Sequence, residues 1–466
     1  MNILLIFPAP ERFPISVYQY RNVSIPAFLT HMAALTPKEH QVRLVDMMMG
    51  DTVPYHDRFD LVGITVRTPM APVSYAIADR FRSMGTKVVL GGAHASALPM
   101  EAKGHADAVV IGEAEQTWEM VLEDVHTNSL RDFYVCGPFP LDTLSGDFRH
   151  VPHRPDLKDL PAPRYDRLDC SRYIMGTFFT TRGCTYGCKF CNVQPLFGAR
   201  TRHRPVDQVI GELSKAPRLL LSVDDNIFGA PGDVDYYMEL YGRMKKLGKY
   251  WAGQGSLAVT TYPRADGLLQ TAAKSGLSLL TAGIEALDSD GLEESGAFRK
   301  LGLSAPANIT TDQARESIHK IQRYGINLLG YFIIGFRRQT PATFQAILDF
   351  CDRFAIIPVP ILLHPLPGTP LYEEYRAEGL LHAPHGWEAF DGAHMVVRHP
   401  EFDVADTEQK YIQTVMAANS NGRRVSRTFQ RFIRNPRIDS LINFHKTQGV
   451  MQKGIREYLK ERRSSP

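Results

Sequence analysis

The chain has 466 residues, 44% of them hydrophobic and 22% charged, with 24 Phe and 19 Tyr; that composition excludes an intrinsically disordered protein and supplies several buried cores. Lys and Arg number 53 against 50 Asp and Glu, a net charge of +3, which excludes a globally basic nucleic-acid binder. The longest apolar run, "LLGYFIIGF" at 328–336, is too short to span a bilayer.

"MNILLIF" reads as a first strand rather than a secretory leader. Further buried strands follow at 42–46, 61–66, 88–92 and 108–112. Between the third and fourth, Tyr75, Ala78, Phe81 and Arg82 fall at helical spacing and Gly85 stops the helix. Strand–helix alternation predicts a doubly wound parallel sheet, a Rossmann-like domain over residues 1–150. Ligands of such sheets bind at the carboxyl ends of the strands. Those ends carry Thr65, Arg67 and Thr68, then Gly91, Gly92, Ala93 and His94, then Gly112 and Glu113.

A Pro- and Asp-rich stretch marks a linker over 151–172. A second alternating series follows, with strands expected at 177–183, 219–225, 250–257, 277–286, 326–336 and 359–370. Six repeats predict a partial (β/α)6 barrel over 173–385, since a closed barrel has eight. Residues 386–466 lose the alternation and read as mainly helical. From Asn421 onward there are twelve Lys or Arg and three Asp or Glu, interleaved with Phe429, Phe432, Ile433, Leu441, Ile442 and Phe444. Such a stretch either packs on its own barrel with a solvated charged face or rests on an anionic membrane surface.

Half of the six cysteines sit in "TTRGCTYGCKFCNV": Cys184, Cys188 and Cys191, spaced C-x3-C-x2-C at the end of the first expected barrel strand. Gly183 and Gly187 permit the turns that aim three thiols at one centre. Thiolates select soft metals, iron–sulfur or zinc. A structural zinc site is closed by four ligands, yet neither Cys170 nor His203 stands at a partner spacing. Three ligands to a four-iron cluster leave one iron open. The remaining cysteines are scattered, and Cys351 reads as a core residue; sparse, clustered cysteine argues for a reducing cytoplasm.

With "SVDDNIF", "AGIEAL", "GYFIIGF" and "LHPLPGTPLY" following in order, the cysteine segment resembles the radical S-adenosylmethionine (SAM) superfamily. "VVLGGAHASALPMEAKGHADAVVIGEAEQTW" resembles the cobalamin-binding domain of its B12-dependent class. The resemblance implies that Cys184, Cys188 and Cys191 hold a [4Fe–4S] cluster whose open iron is chelated by SAM. It implies that Phe190, Asp225, Gln254, Ser256, Glu285 and Gly335 surround SAM, although Asp224 and Asp225 could equally cap the next helix. Cobalamin would lie against Thr65, Arg67, Thr68, Gly91, Gly92, Ala93, His94, Gly112, Glu113 and Glu115. The cobalt-ligating signature Asp-x-His-x-x-Gly is absent, and His94 is either a ligand or a hydrogen-bonded rim histidine.

The implied activity is C-methylation: a 5′-deoxyadenosyl radical takes hydrogen from an unactivated carbon, and methylcobalamin delivers the methyl group. The alternative is cyclisation, ring rearrangement or carbon–carbon coupling on a lipid or tetrapyrrole with the same cofactors. The implied partners are a small-molecule or lipid substrate and an electron donor such as flavodoxin or ferredoxin, with no nucleic acid. Methylthiotransferases share the layout but hold a second cluster on three N-terminal cysteines, whereas residues 1–169 contain only Cys136.

Overall fold

Two all-parallel sheets follow one another in a computed structural model of the chain, which describes residues 1–11, 23–158, 160–309, 312–382, 386–434 and 438–464. The first sheet comprises β1 (Asn2–Phe7), β2 (Gln41–Asp46), β3 (Leu61–Thr65), β4 (Lys87–Gly91), β5 (Ala108–Gly112), β6 (Phe133–Cys136) and β7 (Phe148–Val151). Their order is β2-β1-β3-β4-β5-β6-β7. Alternate residues feed two cores: Leu4, Ile6, Val62 and Ile64 on one face, Ile3, Leu5, Leu61 and Val89 on the other. Burial on both faces is why these strands read as continuous apolar runs. Strand order reverses between β1 and β3, which opens a crevice at their carboxyl ends. The sequence reading missed β6 and β7. Each has four residues, and β7 lies half-exposed on the sheet edge, so its apolar signal is weak.

The second sheet is built from β8 (Gly176–Phe178), β11 (Leu219–Ser222), β12 (Tyr250–Gly255), β13 (Leu277–Glu285), β14 (Asn327–Ile334) and β15 (Ile356–Leu362). The order is β15-β14-β13-β12-β11-β8, all parallel, the six-stranded open barrel that the repeats predict. Two boundaries differ from expectation. The first strand breaks after Phe178, and its continuation β9 (Thr181–Arg182) turns away to pair antiparallel with β10 (Arg202–His203). The last begins at Ile356 and ends at Leu362, leaving "HPLPGTP" as a loop that leads into the helix Pro370–Ala377.

The C-terminal helices Val404–Ala418, Asn421–Arg434 and Ile438–Ser464 follow. On β14 and β15, Leu328, Phe332, Ile334, Ile356 and Leu362 pack with Phe344, Ile347 and Phe350 of the helix Thr343–Phe354. The opposite face, Leu329, Ile357 and Val359, packs with Phe444 and Met451. The helix Asn421–Arg434 reverses the usual polarity. Arg427 and Arg431 are fully buried, while Val425 (63%), Phe429 (60%), Phe432 (48%) and Ile433 (62%) are exposed. The inward guanidiniums find fixed acceptors: Arg431 donates to Asn327 Oδ1 (3.0 Å) and the Gln322 carbonyl (3.1 Å), and Arg427 to Gln448 Oε1 (3.1 Å). The expected packed helix with a solvated charged face holds for Ile438–Ser464, whose Phe444 and Met451 are buried and whose Lys446 and Lys453 are exposed, and not for Asn421–Arg434. Among the described residues, no helix is long and apolar enough to cross a membrane.

Candidate functional site

The cysteine loop sits where β9 leaves the barrel. Gly183, at φ +91°, makes the turn into Cys184, and a Cβ there would meet the Arg200 carbonyl at 2.2 Å; no other residue fits without moving backbone. Cys188 is buried, and Cys184 and Cys191 are half-buried. Burial pushes the Cys188 thiol up to about 12 and Cys191 up to about 11; Lys300 acts on both against that rise, and the Cys184 thiol adds to it. Thiols kept neutral by desolvation become ligands once a cation replaces their protons. Among the described residues, no three Cys, His, Asp or Glu side chains converge as ligands of a single ion would. A cube of four irons, three of them each taking one thiolate and the fourth left open, fits three thiols on one short loop better than a single ion does.

Lys300, on the short helix Phe298–Leu301, is the functional residue that sequence reading missed. Its ammonium is 13% exposed and donates to Glu285 Oε1 at 2.7 Å. Glu285 and the thiols Cys188 and Cys191 raise its proton affinity, and its Nζ lies 6.0 Å from the Phe190 ring centre. Glu285, on the carboxyl end of β13, has φ +68°, where the register with β14 slips by one residue. A non-glycine residue held left-handed costs about 1–3 kcal/mol and persists where surroundings over-determine it. Gly283 vacates the space for the pair, because a Cβ there would lie 2.0 Å from Glu285 Oε1 and 2.3 Å from Lys300 Nζ. No helical or strand periodicity marks Lys300; its chemistry exists only once β13 bulges.

The other expected SAM contacts separate. Gln254 is exposed at the end of β12. Ser256 is spent on structure: its Oγ donates to the Lys300 carbonyl at 2.7 Å and accepts from Ala258 N–H at 3.0 Å. Gly335, at φ +117°, donates its N–H to Gln339 Oε1 at 2.9 Å, at the end of β14. Neither aspartate caps a helix. Asp224 is saturated by Thr180 N–H and Oγ1 (both 2.6 Å), Thr181 N–H (2.9 Å) and Ser222 Oγ (3.0 Å), so it rivets the break between β8 and β9. Asp225 accepts one hydrogen bond from Gly183 N–H, at 2.9 Å, and burial raises its carboxyl to about 6.

At the first sheet, side chains are withheld. Gly92 has φ +95°, and a Cβ would come within 2.8 Å of Thr65 Oγ1 and 2.9 Å of the Val66 carbonyl. Gly112 has φ +86°, with the Cys136 carbonyl 2.3 Å from a Cβ. Between these glycines and the barrel lies a cavity of about 300 Å³, lined by Gly91, Gly92, Gly112, Trp118, Arg182 and Asp225 among others. A corrin is larger than this space and would extend beyond it, while the glycines let the edge of such a flat ligand approach the backbone.

Glu113 and Glu115, expected to touch that ligand, line the same cavity and are ion-paired with the β9–β10 pair and with His31. Arg182 reaches Glu113 at 2.7 Å and Glu115 at 2.5 Å, Arg202 reaches Glu113 at 2.5 Å, and His31 Nε2 reaches Glu115 at 2.8 Å. Both carboxylates are at most 5% exposed, and Arg182 with His31 holds the Glu115 carboxyl far below the usual range. Arg182 directly precedes Gly183, so this cluster clamps the first sheet onto the root of the cysteine loop. Buried carboxylates need such partners. His94 is no cobalt ligand here. Its Nδ1 pairs with Thr68 Oγ1 (3.3 Å) and its Nε2 with Glu101 (3.1 Å), and it is 1% exposed. Glu101 also accepts from Tyr75 Oη and Trp387 Nε1, tying the sheet rim to the C-terminal region.

A second cavity, of about 890 Å³, opens on the far side of that rim. Arg67, Thr68 and Ala93 border it from just past the strands of the first sheet, Asn192 from the cysteine loop, His364 from the loop after β15, and Phe390 from the region beyond. The Arg67 guanidinium lies 4.6 Å over the Phe7 ring.

Comparison with known proteins agrees with this geometry. Residues 178–351 match the radical SAM superfamily, and residues 26–122 match the B12 binding domain. Bacteriochlorophyllide d C-12(1)-methyltransferase of Chlorobaculum tepidum is 32% identical over 80% of this chain and 77% of its own length. Bacteriochlorophyllide d C-8(2)-methyltransferase of the same organism is 27% identical, over 80% and 82%. Among solved structures, the cobalamin-dependent SAM radical enzyme OxsB, with aqua-cobalamin and SAM bound, superposes with a TM-score of 0.66 over 99% of this chain and 80% of its own, at 13% identity.

Proposed function

Because this chain belongs to the cobalamin-dependent radical SAM methyltransferases, we propose that its methyl acceptor is an unactivated alkyl carbon on the rim of a tetrapyrrole. The enzyme is a radical SAM methyltransferase whose cofactors are a [4Fe–4S] cluster, SAM and cobalamin. The observation that carries the substrate reading is the 890 Å³ cavity, bordered at once by Arg67, Thr68 and Ala93 just past the strand ends of the first sheet and by Asn192, the residue after Cys191. A large flat acceptor there would meet both reaction centres, and both bacteriochlorophyllide methyltransferases match most of this chain.

In this reading Cys184, Cys188 and Cys191 hold the cluster, and Gly91, Gly92 and Gly112 let the corrin approach backbone. When bound, the three cofactors supply a 5′-deoxyadenosyl radical and a transferable methyl group. Glu285, Gln254 and Asp225 offer acceptors to the SAM ammonium and ribose. Lys300 orients Glu285 through its 2.7 Å hydrogen bond. The Arg182 clamp fixes the distance between the two cofactor edges and shuts water out of the seam between them. Electrons come from a small carrier such as flavodoxin or ferredoxin, in the cytoplasm. Anaerobic turnover of a metallated chlorin should yield equal amounts of 5′-deoxyadenosine, S-adenosylhomocysteine and singly methylated product. 5′-Deoxyadenosine without S-adenosylhomocysteine would replace methylation by rearrangement.

The outward face of the helix Asn421–Arg434 supports a membrane contact. Val425, Phe429, Phe432 and Ile433 together expose about 400 Å², half of what a stable dimer buries per partner. The neighbouring helix exposes Lys446, Lys453, Arg456 and Lys460. Apolar side chains beside cations suit an anionic lipid surface. Phe429→Asp should therefore cut flotation with phosphatidylglycerol vesicles several-fold and leave the chain folded; unchanged flotation would dismiss the contact.

A further inference from the structure

His364 stands two residues beyond β15 and lines the 890 Å³ cavity. Its Nδ1 lies 2.8 Å from the Leu362 carbonyl. A carbonyl only accepts, so Nδ1 carries the proton and Nε2 keeps its lone pair. The ring is seated tightly: a Cβ on Gly392 would come within 3.2 Å of Cε1. Burial lowers its proton affinity, so the imidazole is neutral.

Two carboxylates of the cavity wall are already engaged. Asp391 accepts from Ala393 N–H, His394 N–H and His394 Nδ1, and Glu408 accepts from Met395 N–H. No hydrogen bond among the described residues uses His364 Nε2. A fixed, neutral nitrogen lining a cavity, with no hydrogen-bond partner among the described residues, is an available acceptor for one Lewis-acidic centre.

Resting on the tetrapyrrole reading above, we propose that His364 Nε2 is the axial ligand of the metal at the centre of the substrate macrocycle. Four pyrrole nitrogens already hold that ion, and it takes one further base perpendicular to the ring. A single bond along the Nε2 lone pair then sets the plane of the macrocycle and the radius at which its rim substituents travel. Met70, Val73, Leu366 and Phe390 decide which rim carbon faces the cysteine loop. A metal-free macrocycle leaves Nε2 desolvated and unpaired, which a buried site rejects.

The test titrates reconstituted full-length enzyme with zinc pheophorbide, chlorophyllide and metal-free pheophorbide, followed by the Soret band and by tryptophan quenching. Zinc serves as the stronger probe for imidazole. Wild type should bind both metallated rings about tenfold or more tighter than the metal-free ring, with a Soret shift that reports axial ligation. His364→Ala should lose both the preference and the shift while retaining iron and cobalamin, and His364→Gly should regain the shift when imidazole is added. If wild type binds all three rings alike with no shift, the axial role falls and the tetrapyrrole reading stands. If His364→Ala weakens all three equally and keeps the shift, His364 is only a wall, and the proposal is overturned. If no ring binds wild type, the substrate class itself is wrong, and the proposal falls with it.

Discussion

At the ends of β4 and β5 the chain removes side chains, whereas at the end of β13 it buries opposite charges. Gly92 and Gly112 hold left-handed backbone where any Cβ would strike a neighbour; Glu285 holds left-handed backbone while carrying a carboxylate 2.7 Å from Lys300. Both edges spend conformational free energy at the same place in a parallel sheet. The first spends it to admit a large flat surface, for which shape matters most. The second spends it to aim one charge at a small zwitterion, for which electrostatics matter most. One chain thus uses two recognition physics, joined by the Arg182 clamp.

The largest break in that comparison is Cys188→Ala. It should abolish SAM cleavage and lower iron content while circular dichroism stays native, because the loop lies outside both sheets; cleavage at wild-type rate would end the assignment of the loop. Next comes Gly92→Val. Strain and overlap with Thr65 and Val66 should cost about 4 kcal/mol of stability and push the rim into the space the corrin would use, so cobalamin affinity should fall by about tenfold or more. The barrel edge should still cleave SAM to 5′-deoxyadenosine without making methylated product. Normal cobalamin uptake by this variant would show that the rim does not contact the corrin.

The two edges also differ in how legible they are. Glycine at a strand end is visible in sequence because the fold demands it there, so Gly91, Gly92 and Gly112 could be read directly. The cysteine spacing was legible for the same reason, local geometry encoded in adjacent residues. Charges were not. Glu113 and Glu115 stand at a strand end like ligand contacts, but Arg182 and Arg202, which claim them, are 67 or more positions away. Lys300 reaches Glu285 only through a bulge that no periodicity announces. The helix Asn421–Arg434 was read as apolar-in because burial usually follows hydrophobicity. Its arginines instead meet Asn327 and the Gln322 carbonyl.

A finer test of the charged edge is Lys300→Met. It strands the buried Glu285 carboxylate and should cost about 3 kcal/mol of stability, seen as a lower midpoint in urea, together with weaker SAM binding. Adding Glu285→Gln should restore most of the stability and none of the SAM affinity. If the single variant is as stable as wild type, the pair is not the electrostatic anchor of that edge.

The smallest effect is the most diagnostic, since it has opposite signs for folding and for binding. Burial raises the Asp225 carboxyl from 3.8 to about 6. The folded chain therefore binds this proton more tightly than the unfolded chain. The stability that the protonated group contributes is complete below pH 3.8 and is lost as pH rises to about 6. At pH 7 the ionised carboxylate then costs at most roughly 3 kcal/mol. Asp225→Asn removes that cost but weakens the bond from Gly183 N–H, so the net gain in stability at pH 7 should be about 1–2 kcal/mol. It should vanish by pH 4, and urea unfolding at both pH values measures it. The same substitution should weaken SAM or cobalamin binding, because a carboxylate retained at such a cost is held for a cationic or hydrogen-bonding ligand. A variant that is less stable at pH 7 and binds both cofactors normally would make Asp225 a structural partner of Gly183 and remove it from the site.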